Sequence, residues 1–386
     1  MDRATQARLA GRIRELLRRR STDLAPATDR VPATDFTSAT LLADETDRLF
    51  LHGPLLAGLS GDARTSGDWF TVDACGRSAV VWRMPDGELR AFVNACRHRG
   101  MRVASGCGRS PRLLVCPYHA WSYDRDGRLD SLPGDEGFSD VARDTTRLTR
   151  VPVREEAGLI FVTLAPVASS AATVLAGAEA ELAPFALGSY HQVERRERRF
   201  ASNWKLIIDS FMEAYHLHFL HRDSLRPFFH GNVSLFDAFG RNSRILGVRR
   251  SFEGAGDDEA LLAHVTILYQ LFPNAVLIHQ QDHVEVYQAF PADDDPHACH
   301  VRLTLYAPRR PESDAERARW AKNLDIIDRV TTTEDFAACE KIQANLRAGA
   351  VPFLIVGRNE PAVAHFHRGL HDVLTPAPAR SESECT

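Results

Sequence analysis

Cys96-Arg97-His98-Arg99-Gly100 and Cys116-Pro117-Tyr118-His119-Ala120-Trp121 decide how this chain is read. The spacing is C-x-H, a gap of ordinary loop length, then C-x-x-H. Two thiolates and two imidazoles form the donor set of a [2Fe–2S] cluster whose cysteines hold one iron and whose histidines hold the other. A zinc ion accepts the same four groups. Zinc knuckles and fingers usually pair like with like, whereas here each half supplies one ligand of each kind. That mixing suits two irons lying between two facing loops. Zinc stands as the competing reading, and four unrelated core or surface residues as the bland one.

The chain has 386 residues, too many for a small electron-carrying cluster domain and enough for two domains. Its composition is that of a soluble globular enzyme, and a net charge of −4 leaves no nucleic-acid footprint. No apolar run approaches a membrane span, and the N-terminus lacks the apolar core of a signal peptide, so a cytoplasmic protein without a membrane partner is expected. Cys75, Cys107, Cys299, Cys339 and Cys385 remain outside the motif. Their odd number and lack of framework spacing indicate free thiols.

Residues 2–20 can form a helix with Leu9, Ile13, Leu16 and Leu17 on one face and arginines opposite, packed on its own protein. Residues 21–40 look like an extended connector. From Gly67 short strands take over: Trp69–Val72, Ala79–Trp82 and Leu89–Val93, with Asp124–Gly127 closing a hairpin and Gly158–Val162 a last strand. This pattern is a small all-β domain presenting the two motif loops. Ala165 to Ala183 reads as mostly helical, and Trp204 to about His221 as a long helix. Strand-like runs follow at His264–Phe272, Ala275–His279, His283–Phe290 and His300–Tyr306, then helices at Arg317–Leu346 and His365–Val373. The expected architecture is α+β, an antiparallel sheet wrapped on a long helix in helix-grip fashion. Its units are 1–50 (helix and connector on the second domain), 51–165 (cluster domain), 166–376 (second domain) and 377–386 (disordered tail).

The segment from Asn203-Trp204-Lys205 through Glu213, His216 and His218 to His221 is the second chemical signal. Glu213 and His216, three apart, share a helix face. His216 and His221 are five apart, which turns the second away on a straight α-helix, so a π-bulge or a helix end is expected between them. His218 points elsewhere and reads as a packing or supporting histidine. Alone, several histidines on a helix are more often structural than metal-binding. An O₂-activating Fe(II) wants two imidazoles and one carboxylate on one face, with the opposite positions open.

The runs Asn94–Gly100 (NACRHRG) and Cys116–Leu129 (CPYHAWSYDRDGRL), with NWK…(D/E)-x-x-H-x(4)-H downstream, resemble the Rieske non-heme iron oxygenases. This is the family of ring-hydroxylating and demethylating terminal oxygenases, and the resemblance runs from about Asp47 to Val373. It implies a Rieske cluster on Cys96, His98, Cys116 and His119. Met101 and Tyr118 stand where respiratory Rieske proteins carry a disulfide, so the potential implied is near the low end, about −150 mV. It also implies a mononuclear Fe(II) on His216 and His221. The carboxylate ligand would be Asp335 of an E-D-x(4)-E-x-x-Q pattern, with Glu334, Asp328 and Asp325 as competitors. O₂ would be the co-substrate, with electrons from NAD(P)H arriving through a separate reductase or ferredoxin. The family forms head-to-tail trimers, implying that His119 of one copy reaches His216 of the next through Glu213. Many ring-dihydroxylating members carry Asp at that bridge, so Glu213 looks more like the carnitine and choline branch. That favours hydroxylation or oxidative dealkylation of a small organic substrate over aromatic cis-dihydroxylation. Asp209-Ser210 replace the Glu-Asn of many members, and Asp209 joins Glu213 as a candidate catalytic residue. Phe211, Phe219, Phe228, Phe229, Tyr269 and Phe272 could line an apolar pocket or belong to plain core. From other classes, a Rieske electron-transfer or redox-sensing protein without oxygenase activity and a zinc-stabilised binding module remain as alternatives.

Overall fold

A computed structural model describes residues 1–168, 172–254 and 260–375. The tail expected to be disordered lies outside the described residues.

The chain opens with the helix Arg3–Arg19, capped where Asp2 Oδ1 accepts from Thr5 N at 2.8 Å and ended by Arg20 in the left-handed region (φ 50°). Leu9 and Ile13 are buried, while Arg12 reaches out to Asp237 at 2.8 Å and Asp23 at 2.6 Å. The connector is less extended than its composition suggests. Asp29–Pro32 pairs antiparallel with Phe353–Val356, but a turn at Ala33–Phe36 and a Ser38-capped helix, Ala39–Glu45, follow.

Asp68–Ala74, Arg77–Arg83 and Leu89–Val93 form the antiparallel centre of a five-stranded sheet, flanked by Arg150–Val151 and Cys107–Arg109. The first hairpin turns through Cys75 (φ 46°) and Gly76 (φ 71°), the two positive φ values a two-residue hairpin loop needs. Residues 94–106 make one motif loop. The other lies between Leu114–Val115 and Ser122–Tyr123, which pair with each other. The hairpin beyond is held by Asp124 Oδ1, which accepts from Asp126 N and Arg128 N, with Gly127 at φ 75°.

The second part is built on a seven-stranded antiparallel sheet. Its spatial order is His191–Phe200, Asp295–Ala307, Val284–Ala292, Ala275–His279, Val265–Leu271, Asn242–Arg249, Phe229–Phe239. Three of these strands are not apparent from the sequence pattern. His191–Phe200 (HQVERRERRF) is an edge strand whose charged side chains mostly face water, which hides the alternation that marks a strand.

Two helix expectations need correcting. Between Ala165 and Ala183, only Glu179–Leu182 among the described residues is α-helical, followed by a tight turn at Ala183–Phe185. Ala176 (φ 50°) and Gly177 (φ 102°) prevent propagation towards the N-terminus. The helix expected to run from Trp204 to His221 stops at Phe211. It buries Trp204, Ile207 and Ile208 against the sheet. Asn203 caps it, its Oδ1 accepting from Lys205 N at 3.0 Å. Behind the cap, Lys205 pairs with Glu45 and Trp204 Nε1 donates to Glu45 Oε2 at 2.8 Å, all three fully buried. The late helix runs Asp314–Val330, widens into a π turn at Thr331–Asp335, and resumes as Phe336–Arg347.

Candidate active site and cluster site

The two motif loops are alike in build. Gly100 N donates to Cys96 O at 2.8 Å, and Ala120 N donates to Cys116 O at 3.0 Å. Gly100 (φ 73°) and Ala120 (φ 58°) both sit in the left-handed region, which bends each loop back around its cysteine. Cys96 and Cys116 are buried, His98 is half-buried, and His119 is exposed. The His98 and His119 rings stand 4.7 Å apart, and His98 stacks on Trp121 at 4.9 Å with an 8° interplanar angle. Tyr123 supports the cysteine side: its hydroxyl lies 3.1 Å from Cys96 Sγ and accepts from Arg97 N at 2.9 Å. Burial and the neighbouring Cys96 raise the Cys116 thiol pKa. The described cysteines are free thiols. His98 Nδ1 is buried without a hydrogen-bond partner, an uncommon state that a metal ligand would explain. The four donors therefore fit a [2Fe–2S] cluster with thiols inward and imidazoles outward.

The second donor set assembles where the Trp204–Phe211 helix ends. Ser210 Oγ bonds back to Ile207 O at 2.8 Å, and Met212 N closes a tight last turn on Asp209 O at 2.9 Å. Glu213 then turns its carboxylate onto the backbone N–H groups of Tyr215 and His216 (3.0 Å for the latter), opening a short turn at His216–His218. The sharp break brings His216 and His221 to face each other, ring centroids 5.0 Å apart. Their partner comes from the π turn. Thr331, Thr332 and Thr333 each bond a carbonyl four residues back (to Ile327 at 3.1 Å, Asp328 at 2.6 Å and Arg329 at 2.9 Å). The widened turn presents Glu334 and Asp335 together to His221.

Asp335 Oδ1 lies 2.9 Å from His221 Nε2 and 3.4 Å from His216 Nε2, and one donor atom from each of the three residues falls within 4.8 Å of the others. The opposite imidazole nitrogens are both held by carboxylates. His216 Nδ1 meets Glu213 Oε1, and His221 Nδ1 lies 2.7 Å from Glu334 Oε2, which Ser224 Oγ also bonds at 2.7 Å. A carboxylate behind each ligating histidine fixes its tautomer and aims its other nitrogen at the metal. Glu334, a competing ligand in the sequence reading, thus orients His221; Ser224 carried no sequence signal. Asp328 pairs with Arg196 (3.1 Å) and Arg198 (2.7 Å), and Asp325 with Arg196 at 2.7 Å, so neither joins the set. Asp209 does not join it either: both its oxygens face His367 Nε2, at 3.0 and 3.1 Å. Burial pulls the His216 pKa down, but bonds to Asp335 and Glu213 outweigh it and carry it up to about 10. Burial pushes the Asp335 carboxyl up, yet the two imidazoles hold it below its ordinary value. Two imidazoles and one buried carboxylate, with room on one side, fit a mononuclear Fe(II).

That room is a cavity of about 400 Å³, reached by His216, His221 and Asp335 and walled mainly by apolar groups. Of the six aromatic candidates, Phe211, Phe228 and Phe229 line it. Phe219 is 67% exposed, Tyr269 is buried in a separate core cluster, and Phe272 packs against Phe366.

A Rieske [2Fe-2S] domain model matches residues 55–145, and the model for the ring-hydroxylating alpha subunit catalytic domain matches residues 187–375. The chain belongs to the Rieske non-heme iron oxygenases. This Rieske chain is 32% identical over 184 residues to the carnitine monooxygenase oxygenase subunit of Escherichia coli (strain K12), covering 47% of this chain and 49% of that one. It thus spans about half the length of that relative. Chloroplastic choline monooxygenase of Atriplex hortensis is 25% identical over 359 residues, 88% of this chain and 76% of that one. The fold is that of a solved quaternary ammonium Rieske monooxygenase, with a TM-score of 0.78, 20% identity, and coverage of 91% of this chain and 96% of that one. Both metal cofactors, the Rieske cluster and a mononuclear iron, follow from the two domains. Among the described residues no helix is long and apolar enough to cross a membrane.

Proposed function

We propose that this protein is a terminal oxygenase component that hydroxylates or oxidatively dealkylates a small organic substrate, with O₂ as co-substrate and electrons from a separate NAD(P)H-dependent reductase or ferredoxin. One observation carries the reading. A single chain holds a two-thiol, two-imidazole site and, apart from it in sequence, a His216–His221–Asp335 set opening on a mainly apolar cavity of about 400 Å³, a size suited to a small ligand.

Cys96, Cys116, His98 and His119 would hold the cluster, and His216, His221 and Asp335 the iron. Bound together, the two groups supply single-electron transfer and O₂ activation. The chain's own residues do the rest. Glu213 and Glu334 fix the tautomers of His216 and His221, so that both Nε2 atoms converge on Asp335 Oδ1. Phe211, Phe229 and Leu268 present apolar surface to the cavity and hold an apolar substrate body against the histidine pair, with the exposed Phe228 at its rim. His119 is exposed on its loop, and Tyr118 beside it is 56% exposed. The iron side carries an exposed apolar group of its own in Tyr215, Phe219 and Phe228. A head-to-tail homotrimer, in which His119 of one copy meets Glu213 of the next, would cover both surfaces. The units 1–50, 51–165 and 166–376 are the corresponding domains.

The relatives named for carnitine and choline support a quaternary ammonium substrate and monooxygenation. The test is turnover of the reductase-coupled protein under ¹⁸O₂ with a panel of N-methyl quaternary amines and simple arenes. The expected product is an N-demethylated or hydroxylated compound, with at most one labelled oxygen retained. Doubly labelled cis-diols would transfer the assignment to dihydroxylation. Cluster oxidation that no panel member accelerates would favour the electron-transfer reading.

A further inference from the structure

The wall of the cavity contains one half-buried cation, Arg249, at the end of the strand Asn242–Arg249. Its Nη2 donates to two neutral acceptors, Thr266 Oγ1 at 3.1 Å and Gln280 Oε1 at 2.9 Å, and its face lies 5.2 Å from the centre of the Phe229 ring. Its Nε is buried and has no partner. No carboxylate among the described residues pairs with it. Glu285 also lines the cavity, but it is committed elsewhere: its Oε1 accepts from Gln280 Nε2 at 3.1 Å and lies 3.2 Å from His283 Nε2. His283 in turn pairs with Asp282 at 2.8 Å, and Asp282 with Arg319. Burial holds the Arg249 pKa below its ordinary value, with Glu285 opposing that shift.

A half-buried guanidinium facing an apolar cavity, with a buried Nε that has no partner and no counter-ion beside it, leaves a donor that an anionic ligand would complete. Gln280 makes the arrangement directional. Its amide oxygen takes Arg249 and its amide nitrogen takes Glu285, which holds the guanidinium in place while keeping the protein's carboxylate off it. We propose that Arg249 is the anchor for an anionic group, a carboxylate, on the substrate, whose other end lies against His216 and His221. The planar fork of Arg249 would receive the two carboxylate oxygens, with Nε as one donor. This rests on the oxygenase reading and narrows its substrate class to small apolar or zwitterionic carboxylates.

The test measures binding to the iron-loaded protein by calorimetry, using γ-butyrobetaine against 4-trimethylammoniobutan-1-ol and benzoate against benzyl alcohol. Each pair differs at the carboxylate. In the wild-type protein the carboxylate of at least one pair should bind about tenfold or more tightly than its alcohol. Arg249→Met should remove that preference, and Arg249→Lys should restore part of it. Equal binding of both members, binding of neither, or a preference that survives Arg249→Met would overturn the assignment. A nitric oxide spectrum of the same samples separates the two readings. An iron–nitrosyl signal without a carboxylate preference refutes the Arg249 anchor alone. A preference without that signal supports the anchor and removes the oxygenase reading.

Discussion

Glu213 carries several roles through one carboxylate. It caps the turn that presents His216, fixes that imidazole's tautomer, and lies beside an exposed apolar surface. Glu213→Gln keeps one oxygen for the backbone N–H groups and removes the charge. Both metals should remain and turnover should fall about 10–100-fold, read by single-turnover kinetics on the reduced protein. Unchanged coupling would end the bridging role. Its position three residues before His216 was visible in the sequence, as was the pairing of Cys96 with His98 and Cys116 with His119. What was not visible is how second carboxylates are used. Glu334 and Asp335 are adjacent and chemically alike, and only the width of the turn decides which faces Nε2 and which faces Nδ1 of His221. Asp209 shows the same limit: a motif position near the histidines, yet a carboxylate spent on His367. His283 adds a pH dependence. Burial lowers its pKa, but Glu285 and Asp282 outweigh burial and raise it above the ordinary value. A raised folded-state pKa gives stability fully present below about pH 6.5 and lost as pH climbs through the folded value. Denaturant midpoints should therefore show His283→Gln less stable than wild type at pH 5.5, with the gap narrowing by pH 9. A gap that widens with pH would contradict the charged pairing.

Among the elements, the ends of helices matter more than their middles. The helix Trp204–Phe211 was legible at its start, where Asn203 caps and Trp204 and Lys205 go inward, but not at its end. Its stop depends on Ser210 and Glu213 taking over backbone groups, and no periodicity records that. Four strands of the large sheet were legible as apolar runs, whereas His191–Phe200 was hidden by the charges on its exposed edge and Asn242–Arg249, although buried, by the polar Asn242, Ser243 and Arg244 at its start. Two element-scale outcomes follow. Glu45→Ala leaves the Lys205 ammonium unpaired in the core and should cost about 3–5 kcal/mol in chemical denaturation. A loss under 1 kcal/mol, the scale of an exposed pair, would contradict that. Deleting Thr333 removes one residue from the π turn and restores α-helical register, which rotates Asp335 away from the imidazole pair. Circular dichroism should be nearly unchanged and the cluster absorption kept, while mononuclear iron is lost on metal analysis. Retained iron would show that the turn is not what places Asp335.

Over the whole molecule, a β domain with a two-thiol, two-imidazole site at its surface precedes a sheet-and-helix domain with a largely buried His–His–Asp set. The α+β class was readable from strand-like runs followed by long helices, and the order of the two sites from the order of their motifs along the chain. The cavity was not readable, since its walls come from strands far apart in sequence, among them Asn242–Arg249, Val265–Leu271 and Val284–Ala292. The two centres make sense together only if both load and communicate. Electron paramagnetic resonance of the anaerobically reduced protein, with nitric oxide then added, addresses that directly. The account predicts a Rieske signal accompanied by an iron–nitrosyl signal, the latter absent from His216→Ala while the former persists. A Rieske signal with no nitrosyl in the iron-supplied wild-type protein would contradict it and leave the protein an electron carrier.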